Sequence, residues 1–160
     1  MAVYKLHIDE FDEVDYQLIA IHTSLEDYRL AYYLNQNLPV LLSKSKNEIQ
    51  LTVKEGATFF SRYVYEDLEK DCSWNLIQNK NELIQRKKEN NRNLFADTDF
   101  DVALPVYLLP EFKKVDYFLK IENAAESLDE ISTNINAIAR ISTVYPVDIA
   151  KIKSKNNLIF

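Results

Sequence analysis

Glycine is almost missing from this chain: Gly56 is the single one in 160 residues. A phosphate-cradling loop needs several residues whose missing Cβ lets backbone approach a ligand. Both the P-loop and the Rossmann fingerprint are therefore excluded. Cysteine is as scarce. Cys72 alone rules out an internal disulfide framework and fits a reducing compartment. Two histidines, His7 and His22, stand far apart, so thiolates and imidazoles cannot assemble a zinc site, and no metal or cofactor is expected. No apolar run approaches membrane-spanning length. The start, residues 1–9, lacks a basic segment followed by an apolar one, so no secretion signal is read. The expectation is a soluble cytoplasmic protein with no membrane partner. Its net charge of −6 argues against nucleic acid as the main partner.

What the chain does have is aromatic residues, ten Tyr and eight Phe, and one phrase said twice. Glu10-Phe11-Asp12-Glu13-Val14-Asp15-Tyr16-Gln17-Leu18 agrees with Glu111-Phe112-Lys113-Lys114-Val115-Asp116-Tyr117-Phe118-Leu119 at six of nine positions. A Ser-Leu-acid-acid group follows each copy, at Ser24–Asp27 and Ser127–Glu130. The pattern implies two related strand-then-helix units.

Residues 16–22 form a largely apolar run suited to a central strand. Ser24 is placed to cap a helix running from Leu25 to about Asn37, with Glu26 and Asp27 in its first turn. Its core stripe reads as Leu25, Tyr28, Ala31, Tyr32 and Leu38. Ile49, Leu51 and Val53 alternate with polar residues up to a turn at Gly56. Phe59 to Tyr65 and Ser73 to Gln78 are β-favouring, and Asn79-Lys80-Asn81 would turn the second back into residues 83–85 as a meander. Residues 89–101 read as a loop. Val102 to Leu109 is an apolar run whose Pro105 suits an edge or bulge. Val115 to Ile121 is a strand. A helix from Ala124 to about Ala139 follows, with Leu128, Ile131, Ile135 and Ile138 on one face. Residues 141–145 are a further strand, giving a split βαβ unit.

The whole reads as one α+β domain, 1–160. It comprises an N-terminal βα unit (10–53), a central meander (54–88), a loop (89–101), a C-terminal βαβ unit (102–148) and a tail (149–160). The sheet is mainly antiparallel, with ferredoxin-like or ACT-like halves related by internal pseudo-symmetry. Both helices are expected on one face, leaving an aromatic second face for a homodimer.

Leu109-Pro110-Glu111-Phe112-Lys113-Lys114-Val115-Asp116-Tyr117 resembles the signature of the IPExxxVDY family, small proteins of Bacteroidetes-type bacteria, with Leu109 in place of Ile. Residues 19–31 and 155–160 look like that family too, so the resemblance spans most of the chain. It implies no activity and no catalytic residue.

Several residues are candidates for interaction or chemistry. Asp15 and Asp116 would form a symmetric carboxylate pair, or cap turns while Tyr16 and Tyr117 pack on the sheet. His22 and Ser24 stand where a strand enters a helix and free N–H groups attract anions, a field that Glu26 and Asp27 already occupy. No nucleophile triad is evident, and Cys72 has no basic cluster to activate it. Lys80, Arg86, Lys87, Lys88 and Arg92, with Phe95, would serve an RNA contact, or simply a solvated loop. Leu158, Ile159 and Phe160 make an apolar tail, docked on its own domain or inserted into a partner. The leading expectation is a non-enzymatic protein-binding or adaptor module. An ACT-like small-ligand sensor, an RNA-associated protein and an enzyme using Asp15, Asp116 and His22 are the alternatives.

Overall fold

Branched residues on both sides of a strand demand a partner layer on each face, and Tyr16–Thr23 (β1) finds both. The computed structural model describes residues 16–88 and 99–160. After β1 come helix α1 (Asp27–Asn37) and strands β2 (Ser43–Lys44), β3 (Ile49–Val53), β4 (Gly56–Phe60), β5 (Arg62–Asp67), β6 (Cys72–Gln78), β7 (Lys80–Lys88) and β8 (Asp99–Tyr107). Then follow β9 (Tyr117–Glu122), helix α2 (Leu128–Asn136) and β10 (Ile141–Pro146), with short 3₁₀ turns at Pro110–Phe112, Ile149–Lys151 and Lys155–Leu158. The fold is α+β and its pairings are antiparallel. Six strands form the main sheet in the order β10-β1-β9-β6-β5-β2, and β3-β4 and β7-β8 are separate two-stranded hairpins. Among the described residues no helix is long and apolar enough to cross a membrane.

The expected split unit is present: β9, α2 and β10 are consecutive, and β1 lies between the two strands. Ser127 Oγ accepts from Glu130 N at 3.2 Å, so α2 begins at Leu128 rather than Ala124; such a cap contributes about 1 kcal/mol. Ile131, Ile135 and Ile138 are buried as their spacing requires. Both helices pack on one face of the sheet, over Ile19, Ile21, Trp74, Leu76, Leu119 and Ile121.

Helix α1 keeps part of its expected stripe: Leu25, Ala31 and Leu38 are buried, but Tyr28 and Tyr32 are not. It starts at Asp27 with Glu26 at the cap position and no side-chain cap, because Leu25 is used as a buried plug in the turn. Ser24 is exposed and does not cap it. Tyr28 and Tyr32 are 56% and 58% exposed, while Leu30, Ala31 and Leu34 face inward. Both stripes satisfy a 3.6-residue period. Burial selects the aliphatic one, each leucine contributing about 1.5–3 kcal/mol.

Three further expectations change. Phe59 to Tyr65 is broken at Ser61, so β4 and β5 belong to different sheets. Asn79 does not turn β6 back on itself: it is fully buried, and β7 pairs with β8 instead. The expected loop gives residues 99–101 to β8, and residues 89–98 lie outside the described part. Pro105 sits in β8, which pairs with β7 alone among the described residues, so its missing N–H is tolerated.

The second face of the sheet is not left open for another copy. Leu18, Ala20, Ile77 and Phe118 are covered there by Phe60, Val106, Leu108, Leu109, Val147, Ile152 and Leu158 of the same chain. The aromatic face expected to carry a homodimer is thus core, because the hairpins and the tail fold back over it.

The repeated phrase also reads differently in space. β1 and β9 are neighbours in antiparallel register, Ile19 opposite Leu119. Tyr16 and Leu18 face the hairpin-and-tail side, whereas Tyr117 and Leu119, their counterparts in the phrase, face the helices. The two copies are one residue out of phase with the sheet, and a one-residue shift reverses every side chain.

Candidate functional site

In the second copy of the phrase Glu111, Asp116 and Tyr117 form a clasp, each bonded to another part of the chain. Leu109 is fully buried, and Pro110 opens a 3₁₀ turn in which its missing N–H has no role. Glu111 reaches the tail. Its Oε1 accepts from the backbone N–H of Lys153 and Ser154, both at 2.8 Å, and its Oε2 accepts from Ser154 Oγ at 3.0 Å. Burial pushes this carboxyl up, but the three bonds to its charged form outweigh that and hold it below the ordinary carboxylate value. Phe112 stands edge-on to Phe118, centroids 5.9 Å apart.

Asp116 and Tyr117 hold the turn from β1 into α1. β1 carries an irregularity against β10 between His22 and Thr23. There Asp116 Oδ2 accepts from Thr23 N at 3.0 Å. The other oxygen, Oδ1, lies 2.9 Å from Lys80 Nζ. Two residues on, the Tyr117 hydroxyl donates to Leu25 O at 2.8 Å. Burial pushes that hydroxyl upward, and the negative charges of Asp27, Asp116 and Glu26 add to it. Thr23 completes the turn, donating through Oγ1 to Arg140 O at 2.8 Å and accepting from Leu25 N at 3.1 Å.

Asn79 is the keystone of the clasp, and the sequence gives it no special status. Its Nδ2 donates to Phe112 O at 2.9 Å and Val115 O at 2.8 Å, while its Oδ1 accepts from Leu109 N at 2.9 Å. Its backbone adds Asn79 N to Asp116 O at 3.0 Å and Leu108 N to Asn79 O at 2.8 Å. An asparagine with no solvent exposure is stable only when so fully satisfied. Lys120 is the other residue missed. It is nearly buried, donates to Leu158 O at 3.0 Å, and lies 3.2 Å from Glu122. The signal was a cation inside the apolar run of β9, since a buried charge requires partners.

Of the remaining candidates, Tyr16, Leu158 and Phe160 gather around Lys120, whereas His22 meets Tyr145. His22 Nε2 is 3.1 Å from the Tyr145 hydroxyl, on exposed surface, while the Asp116 carboxylate is engaged by Thr23 and Lys80. Asp15 lies outside the described residues. Tyr16 packs its ring 4.9 Å from Lys120 Nζ. Leu158 is fully buried and docks the tail, whereas Ile159 is 78% exposed. The Phe160 ring is held between Arg62 at 4.6 Å and Lys120 at 4.7 Å. The basic stretch is partly neutralised at home: Lys80 pairs with Asp116, and Arg86 faces Asp101 across the hairpin at 3.6 Å. Arg92 and Phe95 are outside the described residues. Among the described residues no group of three or more His, Cys, Asp or Glu side chains is arranged to hold a metal ion. The chain matches no family model, and neither a curated protein nor a solved structure is significantly similar to it.

Proposed function

We propose that this is a non-enzymatic protein-binding module of the IPExxxVDY type, and that its docking element is the outer edge of β10. The observation that carries the reading is the edge itself. Among the described residues β10 pairs only with β1, and Ile141-Ser142-Thr143-Val144-Tyr145-Pro146 contains no charge. Its outward groups form a template for an added strand, and the lysines that usually guard such an edge are missing. The opposite edge, β2, is two residues long and offers far less. Glu111, Asp116 and Tyr117 of the signature are engaged within the chain, which supports an architectural role for that motif over a catalytic one.

The order β10-β1-β9-β6, with α1 and α2 on one face, supports a ferredoxin-like core into which β2 to β5 are built. A second copy joined edge to edge would extend the sheet symmetrically. With no charges on the strand, no register sets like charges opposite each other.

Sedimentation of the purified protein, followed by affinity purification from its native cell, tests the reading. A self-associated dimer or a stoichiometric partner is expected, lost from the Ser142→Lys, Thr143→Lys double variant. A monomer that retains nothing, or a complex indifferent to the two lysines, sinks the proposal.

A further inference from the structure

The two hairpins outside the main sheet lean together and leave a space between them. Gly56 permits the approach: at φ +149° it presents no Cβ, and one placed there would meet Leu83 Cδ2 at 3.3 Å. Gln85 Nε2 donates to Glu55 O at 3.4 Å, and Asn81 Nδ2 to Phe59 O, tying the first hairpin to β7. What lies between them is a cleft of about 440 Å³, open to solvent on one side. One wall is Leu51 and Val53, another Leu104 and Val106, with Leu83 between them. Such a volume falls within the roughly 300–1,000 Å³ of small-molecule sites, and such sites are mostly apolar with a few polar groups that fix orientation.

The polar groups here are few and distinct. Lys113 stands on the lining just after the 3₁₀ turn, its Nζ 5.9 Å from the centre of the Tyr107 ring. Lys113 forms no ion pair among the described residues, unlike Lys80, Arg86 and Lys120. Glu55, at the tip of the opposite hairpin, is the lining's acid. An occupant must therefore bury an apolar body between the hairpins and present negative charge at the Lys113 side only. A second anionic group, at the Glu55 side, is disfavoured by like charge.

We infer that this cleft binds a small monocarboxylate with an apolar chain, its carboxylate paired to Lys113. The site is separate from the β10 edge, so either holds without the other.

Octanoate is the probe, titrated calorimetrically into the full chain beside octan-1-ol, with methyl NMR to locate it. Saturable one-site binding is expected, with shifts at Leu51, Val53, Leu83 and Leu104. Lys113→Gln, an exposed substitution that leaves packing intact, should weaken octanoate about tenfold, the scale of one charge-assisted contact, and leave octanol unchanged. Leu104→Trp, which fills the space, should abolish both. No saturable heat with octanoate overturns the inference. So does equal affinity in Lys113→Gln, or shifts confined to other parts of the molecule.

Discussion

Replacing Asn79 with alanine removes three hydrogen bonds at once and leaves two of their partners unpaired inside the protein. Leu109 N and Val115 O are buried, and each costs about 1–3 kcal/mol when left unpaired. Phe112 O is only part-buried, so water can replace its lost donor at little cost. Allowing for partial relaxation, the expected loss is about 3–4 kcal/mol, a large part of the roughly 5–15 kcal/mol that holds a domain folded. Urea unfolding measures it: at a slope near 2 kcal/mol per M, the midpoint falls by about 1.5–2 M with the slope unchanged. Hydrogen exchange should accelerate most at Leu109 and along 112–116, where the clasp opens. Asn79→Asp is the sharper variant. It keeps the acceptor for Leu109 but turns an oxygen toward two carbonyls, and should be at least as damaging as alanine. A loss below about 1 kcal/mol for alanine, or a tolerated aspartate, would refute the keystone role.

Three other outcomes follow from the same geometry. Glu111 has a depressed pKa in the fold, so its bonds to residues 153 and 154 stabilise fully above its ordinary value near 4.5 and fade as pH falls through the folded value. Glu111→Gln should flatten that acid limb in a stability-versus-pH series; an unchanged limb would place the dependence elsewhere. Tyr117→Phe leaves the Leu25 carbonyl without its donor, at about 1–2 kcal/mol, read as a thermal midpoint lower by about 3–6 °C. Because burial raises the Tyr117 pKa above its ordinary 10.0, stability is full below that value and declines as pH rises past it, less steeply in the phenylalanine variant. Gly56→Ala should cost about 1–3 kcal/mol through its φ of +149° and the crowding of Leu83, with a wild-type melting curve counting against both reasons.

Local chemistry was legible along the chain wherever the residues alone suffice to choose an element. The isoleucines at 131, 135 and 138, the alternation from Ile49 to Val53 ending at Gly56, and Pro105 on a hairpin edge each follow from nearest neighbours. So did the strand–helix–strand unit at the C-terminal end, whose strands flank β1. Scarcity of glycine and cysteine, likewise a property of the chain alone, shaped which chemistry to expect of it.

Other features depend on which distant segments meet, and no local pattern carries that. α1 offers two stripes of equal period, and the sheet beneath it buries Leu30 and Leu34 and leaves Tyr28 and Tyr32 in water. Asn79 is an ordinary turn residue until Phe112 and Val115, some thirty positions away in sequence, arrive to accept from it. Lys120 becomes a tail anchor only once Leu158 folds across the sheet. The twice-said Val-Asp-Tyr is the clearest case. Its identity is written in the chain, but antiparallel pairing of β1 with β9 sets the copies one residue out of phase, so Tyr16 and Tyr117 face opposite layers. Composition and period dictate which elements form, because those forces act between near neighbours. Register, facing and hydrogen-bond partnership come from the assembled sheet, because there each residue's partner lies far along the chain.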